Sequence, residues 1–243
     1  MPSPTPARSP RRYLGITAAE RHAQRRERLL EAGLELFGTR GFAETAVRDV
    51  CAEASLNTRY FYESFKSNED LLFQVYERII AEMSGAVIEV TARAGTIEEQ
   101  AREGLRAAWG LMAADRRKAR VVAVEVVGAS GRLERVRRRD RHMFADILHR
   151  NAMSLAAPDL ELRFDPLLNA RALMGASVEL LGDWVHGELD ASVDEIVEYL
   201  TELYTTATFS LMVKPRTRAK RPRTSKPRAA GEKGARRDGK KPA

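Results

Sequence analysis

NTRYFYESF, residues 57–65, places four aromatic side chains in nine positions of a 243-residue chain that has only sixteen. Asn57 is a good N-cap, so a helix is expected to start at Thr58. In that helix Phe61 and Phe65 fall four apart and share one face, with Leu56 just ahead of them. Thr58, Arg59 and Tyr60 then occupy an exposed first turn. Tyr62 and Ser64 lie on the flanks, where hydroxyls can donate to phosphates. The stretch thus divides into Phe residues that hold a small domain together and Tyr residues that face outward. The alternative, four ordinary core aromatics, needs partners for buried phenols.

The segments on either side agree. Upstream, Leu29, Leu30, Gly33, Leu34 and Phe37 recur at helical spacing and give one apolar face, while Arg21, Arg25, Arg26 and Arg28 lie mostly off it. Gly38 and Gly41 stop this helix, and Phe42 follows as a plug. Thr45 is the expected cap of a second helix whose inward face is Val47, Val50, Cys51 and Ala54. Ser55-Leu56-Asn57 is a three-residue turn into the aromatic helix. Two short helices about a tight turn form a helix-turn-helix, in which the second member lies in the DNA major groove and reads bases from its first turn.

The whole chain reads as all-α. Expected helices span 17–39, 46–53, 57–63, 67–93, 96–114, 116–128, 131–156, 166–187 and 192–212. Thr17-x-x-Glu20, Thr96-x-x-Glu99 and Ser192-x-x-Glu195 are capping boxes, and Ser67-x-x-Asp70 is a weaker one. The run VVAVEVV (121–127) has strand-like composition but a helical context, and is read as buried helix. No internal repeat is visible. The expected organisation is a disordered basic arm at 1–16, a DNA-binding head at 17–66, a helical body at 67–213 and a disordered basic tail at 214–243.

Charge follows the same division. Residues 214–243 carry 13 Lys and Arg against 2 acids, residues 1–30 carry 7 against 2, and 31–213 hold 21 against 30. Basic ends on an acidic body suggest ends that meet a polyanion. The tail has four prolines and no aromatic, and it cannot repay the entropy of folding. Its attraction to DNA would be salt-dependent and without sequence code. It reads as a retention device on DNA or as a solubilising extension. Its composition, with the chain's 33 Arg against 8 Lys, resembles tails of nucleoid-associated proteins. No apolar run approaches the ~20 residues that span a membrane, and the N-terminus does not read as a secretory signal. The single Cys51 permits no internal disulfide, which fits a reducing compartment, and it reads as a small buried hydrophobe. The expected location is cytoplasmic, in a bacterium, with nucleoid association.

Over residues 25–77 the sequence resembles the TetR/AcrR family of transcriptional regulators. The resemblance rests on Ala32-Gly33-Leu34-Glu35-Leu36-Phe37, Gly41-Phe42, Thr45-Ala46-Val47, Val50-Cys51, Ala54-Ser55-Leu56-Asn57, Phe61-Tyr62-Glu63-Ser64-Phe65 and Ser67-Asn68-Glu69-Asp70-Leu71. Three positions depart from the family pattern. Ser55 stands where the family has a turn glycine, so the positive φ there costs more or shifts. Ser64 replaces a His or Tyr. Asn68 replaces a Lys that commonly contacts phosphate, with Lys66 near enough to substitute.

The resemblance implies a homodimer whose two heads dock on successive major grooves of a palindromic operator in double-stranded DNA, half-sites about 34–36 Å apart. Arg59 is the candidate for guanine, since its fork matches O6 and N7. Thr58 and Tyr60 face neighbouring base edges. Thr45, Arg48, Tyr62, Ser64 and Lys66 are candidate phosphate contacts, and Asn57 completes the set. The body is implied to bind a small-molecule effector of unknown identity, with the fourth helix carrying pocket filling to the heads. Pocket candidates are Trp109, Met112, Glu125, His142, Met143, Asp146, Trp184 and His186, each of which is otherwise core packing or a solvated edge. His142, Asp146 and His149 share a helix face, but RVRRRDRH (135–142) before them reads as a solvated basic face rather than a metal site. No cofactor is expected. The last two helices are implied to form the dimer interface, through Leu173, Ala176, Leu180, Leu181, Leu200 and Leu203, with Gly175 and Gly182 allowing close approach. The function implied is a repressor released by its effector. The competing class is an architectural DNA binder without effector control. No phosphate loop, nucleophile elbow, HExxH or CxxC spacing supports an enzyme.

Overall fold

The computed structural model describes residues 17–155, 161–162 and 164–213. The basic arm and the basic tail lie outside them. Among the described residues the helices are α1 Ala18–Thr39, α2 Val47–Glu53, α3 Thr58–Ser64, α4 Asn68–Thr91, α5 Ile97–Ala114, α6 Arg116–Arg120, α7 Gly131–Leu155, α8 Pro166–His186 and α9 Val193–Leu211. Their starts follow from side-chain capping. Thr17 and Glu20, Thr96 and Glu99, and Ser192 and Glu195 exchange the reciprocal bonds of capping boxes, and Ser67 caps α4 through the Asp70 N–H. Asp115 caps α6, while Asp165 caps α8 ahead of a proline in its first turn.

Three features differ from the sequence reading. VVAVEVV continues α6 as a single π-helical turn, Val121–Glu125. A two-residue antiparallel pair, β1 Glu161–Leu162 with β2 Met212–Val213, joins the end of α9 to the segment before α8. Thr45 does not cap α2. It is buried, and its hydroxyl donates to the Gly41 carbonyl at 2.7 Å. The N-cap is Ala46, whose N–H is taken instead by the Asp49 carboxylate at 2.9 Å.

One hydrophobic core runs from head to body. Phe37, Phe61, Phe65, Leu29 and Val50 form its head end, with the Phe61 and Phe65 rings 5.6 Å apart. Leu71, Leu72, Val75 and Ile79 of α4 carry it into the body. Gly33 brings α1 against α4: a Cβ there would lie 3.0 Å from Leu71 Cδ2. Gly38 brings α1 against α6 more tightly, where a Cβ would lie 2.6 Å from the Arg117 Cα. In the body α5 packs on α4 and α9, and α8 packs on α7. No described helix is long and apolar enough to cross a membrane.

Candidate nucleic-acid interface and ligand cavity

The helix-turn-helix closes through Ser55, the sole non-glycine residue with positive φ among those described, at 49°. The departure from glycine therefore keeps the left-handed geometry and carries its strain, of order 1 kcal/mol. The Arg28 guanidinium helps to hold it, donating to the Ala54 carbonyl at 2.5 Å and to the Ser55 carbonyl at 3.4 Å. These carbonyls end α2, where a cation is favoured. Asn57 caps α3 by accepting the Arg59 N–H at 2.9 Å.

The first turn of α3 is the exposed element. Thr58 and Arg59 face solvent, as do Arg48, Asn57, Tyr62 and Lys66. The Arg59 side chain, 84% exposed, pairs with Glu63 one turn on, at 3.2 Å. Glu63 is also approached by Arg25 at 3.6 Å. An exposed i,i+4 pair is worth a few tenths of a kcal/mol, so Arg59 is readily released to another acceptor. Three sequence candidates are placed differently. Thr45 is buried and engaged, as above. Ser64 is turned inward, its Oγ buried without a partner. Tyr60 is half-buried, its ring covered by the Arg25 guanidinium at 4.4 Å to the centroid. Asn68, in the place of the resembling family's Lys, donates from Nδ2 to the Thr45 carbonyl at 2.7 Å. It ties α4 to the head rather than offering a charge. Burial pushes the Cys51 thiol's pKa up, with a smaller opposing pull from the Thr58 hydroxyl.

Head and body are joined by ion pairs spaced far apart in sequence. Arg117 bridges Asp115 and Glu35, both at 2.7 Å, and these acceptors hold its pKa above the ordinary value. Arg78 pairs with Glu27 and Glu31. At the end of the π turn, Glu125 accepts the Phe42 N–H at 2.7 Å and pairs with Arg120 at 2.8 Å. Arg120 also donates to the Thr39 carbonyl at 3.1 Å.

Beyond this joint, α4, α5, α7 and α8 part around a cavity of about 120 Å³. Ile80, Met83, Val87, Ala108, Met112, Phe144, Ile147 and Leu148 give it apolar walls. Trp109 and Met112 line it, as the sequence led us to expect. Glu125 does not, because it faces the head. Trp184 does not: it packs edge-on against Trp109 at 6.3 Å and lies under Arg116 at 4.2 Å. His186 sits at the exposed end of α8, bonded to the Gly182 carbonyl. His142, Met143 and Asp146 fall on the opposite side of α7, in a shallow groove with Arg135, Arg138, Arg139 and Arg150.

The cavity's polar residues are ones the sequence reading passed over: Tyr76, Gln100, Arg137, Asp140, Arg141 and Asn151. Asp140 is 2% exposed. Its Oδ1 accepts from Arg139 at 2.8 Å, whereas Oδ2, Arg137 Nε and Gln100 Oε1 are buried without a partner. Burial, and after it the neighbouring Asp140 carboxylate, push the Tyr76 phenol's pKa well up. The signal was present: 137, 140/141, 144, 147/148 and 151 recur at helical spacing and mark one face of α7. Among the described residues no group of three His, Cys, Asp or Glu side chains is arranged to hold a metal.

The expected dimer residues divide. Leu173 and Leu200 are buried inside the protomer, and Leu180, Leu181 and Leu203 pack against its internal clusters. The outer side of α8 and α9 instead exposes Leu168, Tyr199 and Phe209, at 64%, 61% and 52%. Ala176 is half-buried. Gly175 and Gly182 have open space where a Cβ would sit.

Comparison with known proteins follows this geometry. Residues 29–75 match the model of the bacterial regulatory proteins, tetR family. The curated relative described as an uncharacterized HTH-type transcriptional regulator YerO, from Bacillus subtilis (strain 168), is 33% identical over 57 residues. That match covers 24% of this chain and 20% of the relative's length. Solved structures extend the likeness to the body as a fold. A TetR-family regulator from Syntrophomonas wolfei superposes with TM-score 0.66 at 20% identity, covering 79% of this chain and 98% of its own. The regulator FadR from Bacillus subtilis, solved with stearoyl-CoA, superposes with TM-score 0.66 at 17% identity, covering 73% and 96%.

Proposed function

We propose, from its place in the tetR family, that this chain is a sequence-specific DNA-binding regulator whose affinity for its operator is set by a small-molecule effector. The observation that carries the reading is the first turn of α3. It presents Arg59 and Thr58 to solvent, on a helix whose other face is anchored by fully buried Phe61 and Phe65. A rigid helix with an exposed N-terminal turn is what major-groove reading requires.

In this reading Arg59 contacts guanine, and Thr58 a neighbouring base edge. Arg48, Tyr62, Lys66 and Asn57 position the head on phosphates. The dimer forms through the outer side of α8 and α9, where Leu168, Tyr199 and Phe209 stand exposed beside Gly175, so its operator is palindromic. The effector enters the apolar cavity against α4. Because α4 also belongs to the head's core, filling the cavity shifts the spacing of the two heads, and repression ends. The stearoyl-CoA in the FadR structure supports an aliphatic chain as the ligand class. The division proposed is a head at 17–66 and a body at 67–213. The protein works in the bacterial cytoplasm on nucleoid DNA, as a regulator and not an enzyme.

Selection from random duplex DNA with residues 1–213 tests this. A palindrome is expected, and Arg59→Ala should relax one position in each half-site at a cost of about 1–3 kcal/mol. If the truncated chain selects nothing, while the full chain covers all DNA in a salt-sensitive way, the basic tail is the binding part. The architectural reading then replaces this one.

A further inference from the structure

The cavity has a shape and two polar ends. α4 and α7 run side by side in the same direction, as shown by Ser130 on Glu69 at 2.6 Å, Arg132 on Asp70 at 3.2 Å and Arg139 on Glu77 at 2.7 Å. Tyr76 and Thr91 of α4 both line the cavity, as do Arg137 and Asn151 of α7. Fifteen residues of α4 and fourteen of α7 separate them, which is about 21–22 Å at the helical rise. A volume of 120 Å³ drawn along that length is a thread rather than a chamber. It accepts one extended alkyl chain of roughly twelve to sixteen carbons, given C–C bonds of about 1.5 Å.

The unpartnered buried atoms mark the two ends of the thread. At the end near the head are Asp140 Oδ2, an acceptor, and Arg137 Nε, a donor. At the far end, on the first turn of α5 and beside Thr91 and Asn151, is Gln100 Oε1, an acceptor. The walls between are apolar. A buried polar atom left without a partner costs about 1–3 kcal/mol, so a ligand that supplies the missing bonds is favoured over one that presents a methyl group. A methyl terminus would leave Asp140 and Arg137 as they are. A hydroxyl can donate to Asp140 Oδ2 while accepting from Arg137 Nε, and a second hydroxyl can donate to Gln100 Oε1.

We infer that the effector is a linear aliphatic chain with a hydroxyl group at each end, held at one by Asp140 and Arg137 and at the other by Gln100. The inference rests on the reading of this cavity as the effector site, and it narrows that reading from any apolar chain to a doubly terminated one.

The test is binding to the full-length protein without DNA, by calorimetry and thermal shift, with dodecane-1,12-diol, dodecan-1-ol and dodecanoate. The diol should bind about tenfold or more tighter than the mono-alcohol, the difference one buried hydrogen bond makes, and dodecanoate should bind weaker than the diol. Asp140→Leu and, separately, Gln100→Leu should each bring the diol down to the level of the mono-alcohol. If one variant fails to fold, the other, on a different helix, gives the same readout. Equal or tighter binding of dodecanoate or the mono-alcohol to the unaltered protein overturns the inference. So does failure of all three probes to bind a protein that still selects an operator, an outcome that leaves the regulator intact. Loss of operator selection, in contrast, sinks the regulator whatever the probes do.

Discussion

α3 of the head and the first half of α7 in the body are opposites in composition and alike in construction. α3 is dense in aromatics, yet its outward turn is polar. The stretch RVRRRDRH of α7 is dense in charge, yet Arg137 and Asp140 on its inner side reach a buried cavity while Arg135 and Arg138 face solvent. In both helices the phase decides what a residue does, and the average character of the stretch hides it. The two regions differ in how completely their cores are filled. The head closes on Phe37, Phe61 and Phe65, each at 2% exposure or less. The body leaves a thread of space along α4. A reading element must be rigid, whereas a sensing element needs room.

The hardest way to break this comparison is to hollow the head. Phe61 is fully buried against Phe65 and Tyr62, 5.6 and 5.3 Å between ring centroids. Phe61→Ala should cost about 3–5 kcal/mol in chemical denaturation and abolish operator binding. A loss under 1 kcal/mol would show that the head tolerates voids as the body does.

The joint between the regions comes next. At Gly38 a methyl group would meet the backbone of Arg117, not a movable side-chain tip. Gly38→Ala should part α1 from α6 and cost about 1–3 kcal/mol. Since it moves the head without touching α3 or the cavity, it should alter effector-driven release more than effector affinity. Equal stability of the variant would mean that the helices separate without cost.

Glu125 tests the same joint from the body's side. It sits in the π turn next to Val122 and Ala123, which line the cavity, and it accepts the Phe42 N–H of the head. Glu125→Ala should cost about 1–2 kcal/mol, the price of an unpartnered backbone N–H. Its thermal unfolding should show a head and a body that separate earlier than in the parent chain. A single transition at the parent temperature would remove the π turn from the joint.

The pattern of these residues also explains what the sequence made legible. Capping residues act on N–H groups within three positions, so Thr17, Asn57, Ser67, Thr96 and Ser192 could be read directly. Phe61 and Phe65 were legible because spacing four fixes a shared face. Glu125 was misread as a pocket residue because its partner Phe42 lies 83 positions away, and no local pattern points to it. Thr45 failed as a cap because its hydroxyl had a competing acceptor, the Gly41 carbonyl, created by the chain's own reversal there. Leu173 and Leu200 were assigned to a dimer face because an apolar stripe does not say whether a neighbour or another copy covers it. Their burial inside the protomer moves that proposed face to Leu168, Tyr199 and Phe209.

The smallest effect sharpens the comparison at the turn the head reads from. Ser55 holds φ at 49°, a conformation that glycine adopts without steric cost. Ser55→Gly removes strain of about 1 kcal/mol but loosens the unfolded chain by about 0.5 kcal/mol. A net gain of about 0.5 kcal/mol is expected, read as a higher denaturation midpoint with unchanged slope. The Arg28 bonds to the Ala54 and Ser55 carbonyls use backbone oxygens, so they survive the change and keep the turn closed. A loss of stability would mean that the serine side chain contributes to the turn more than its backbone strain costs. The head would then owe its rigidity to this residue as well as to its aromatic core.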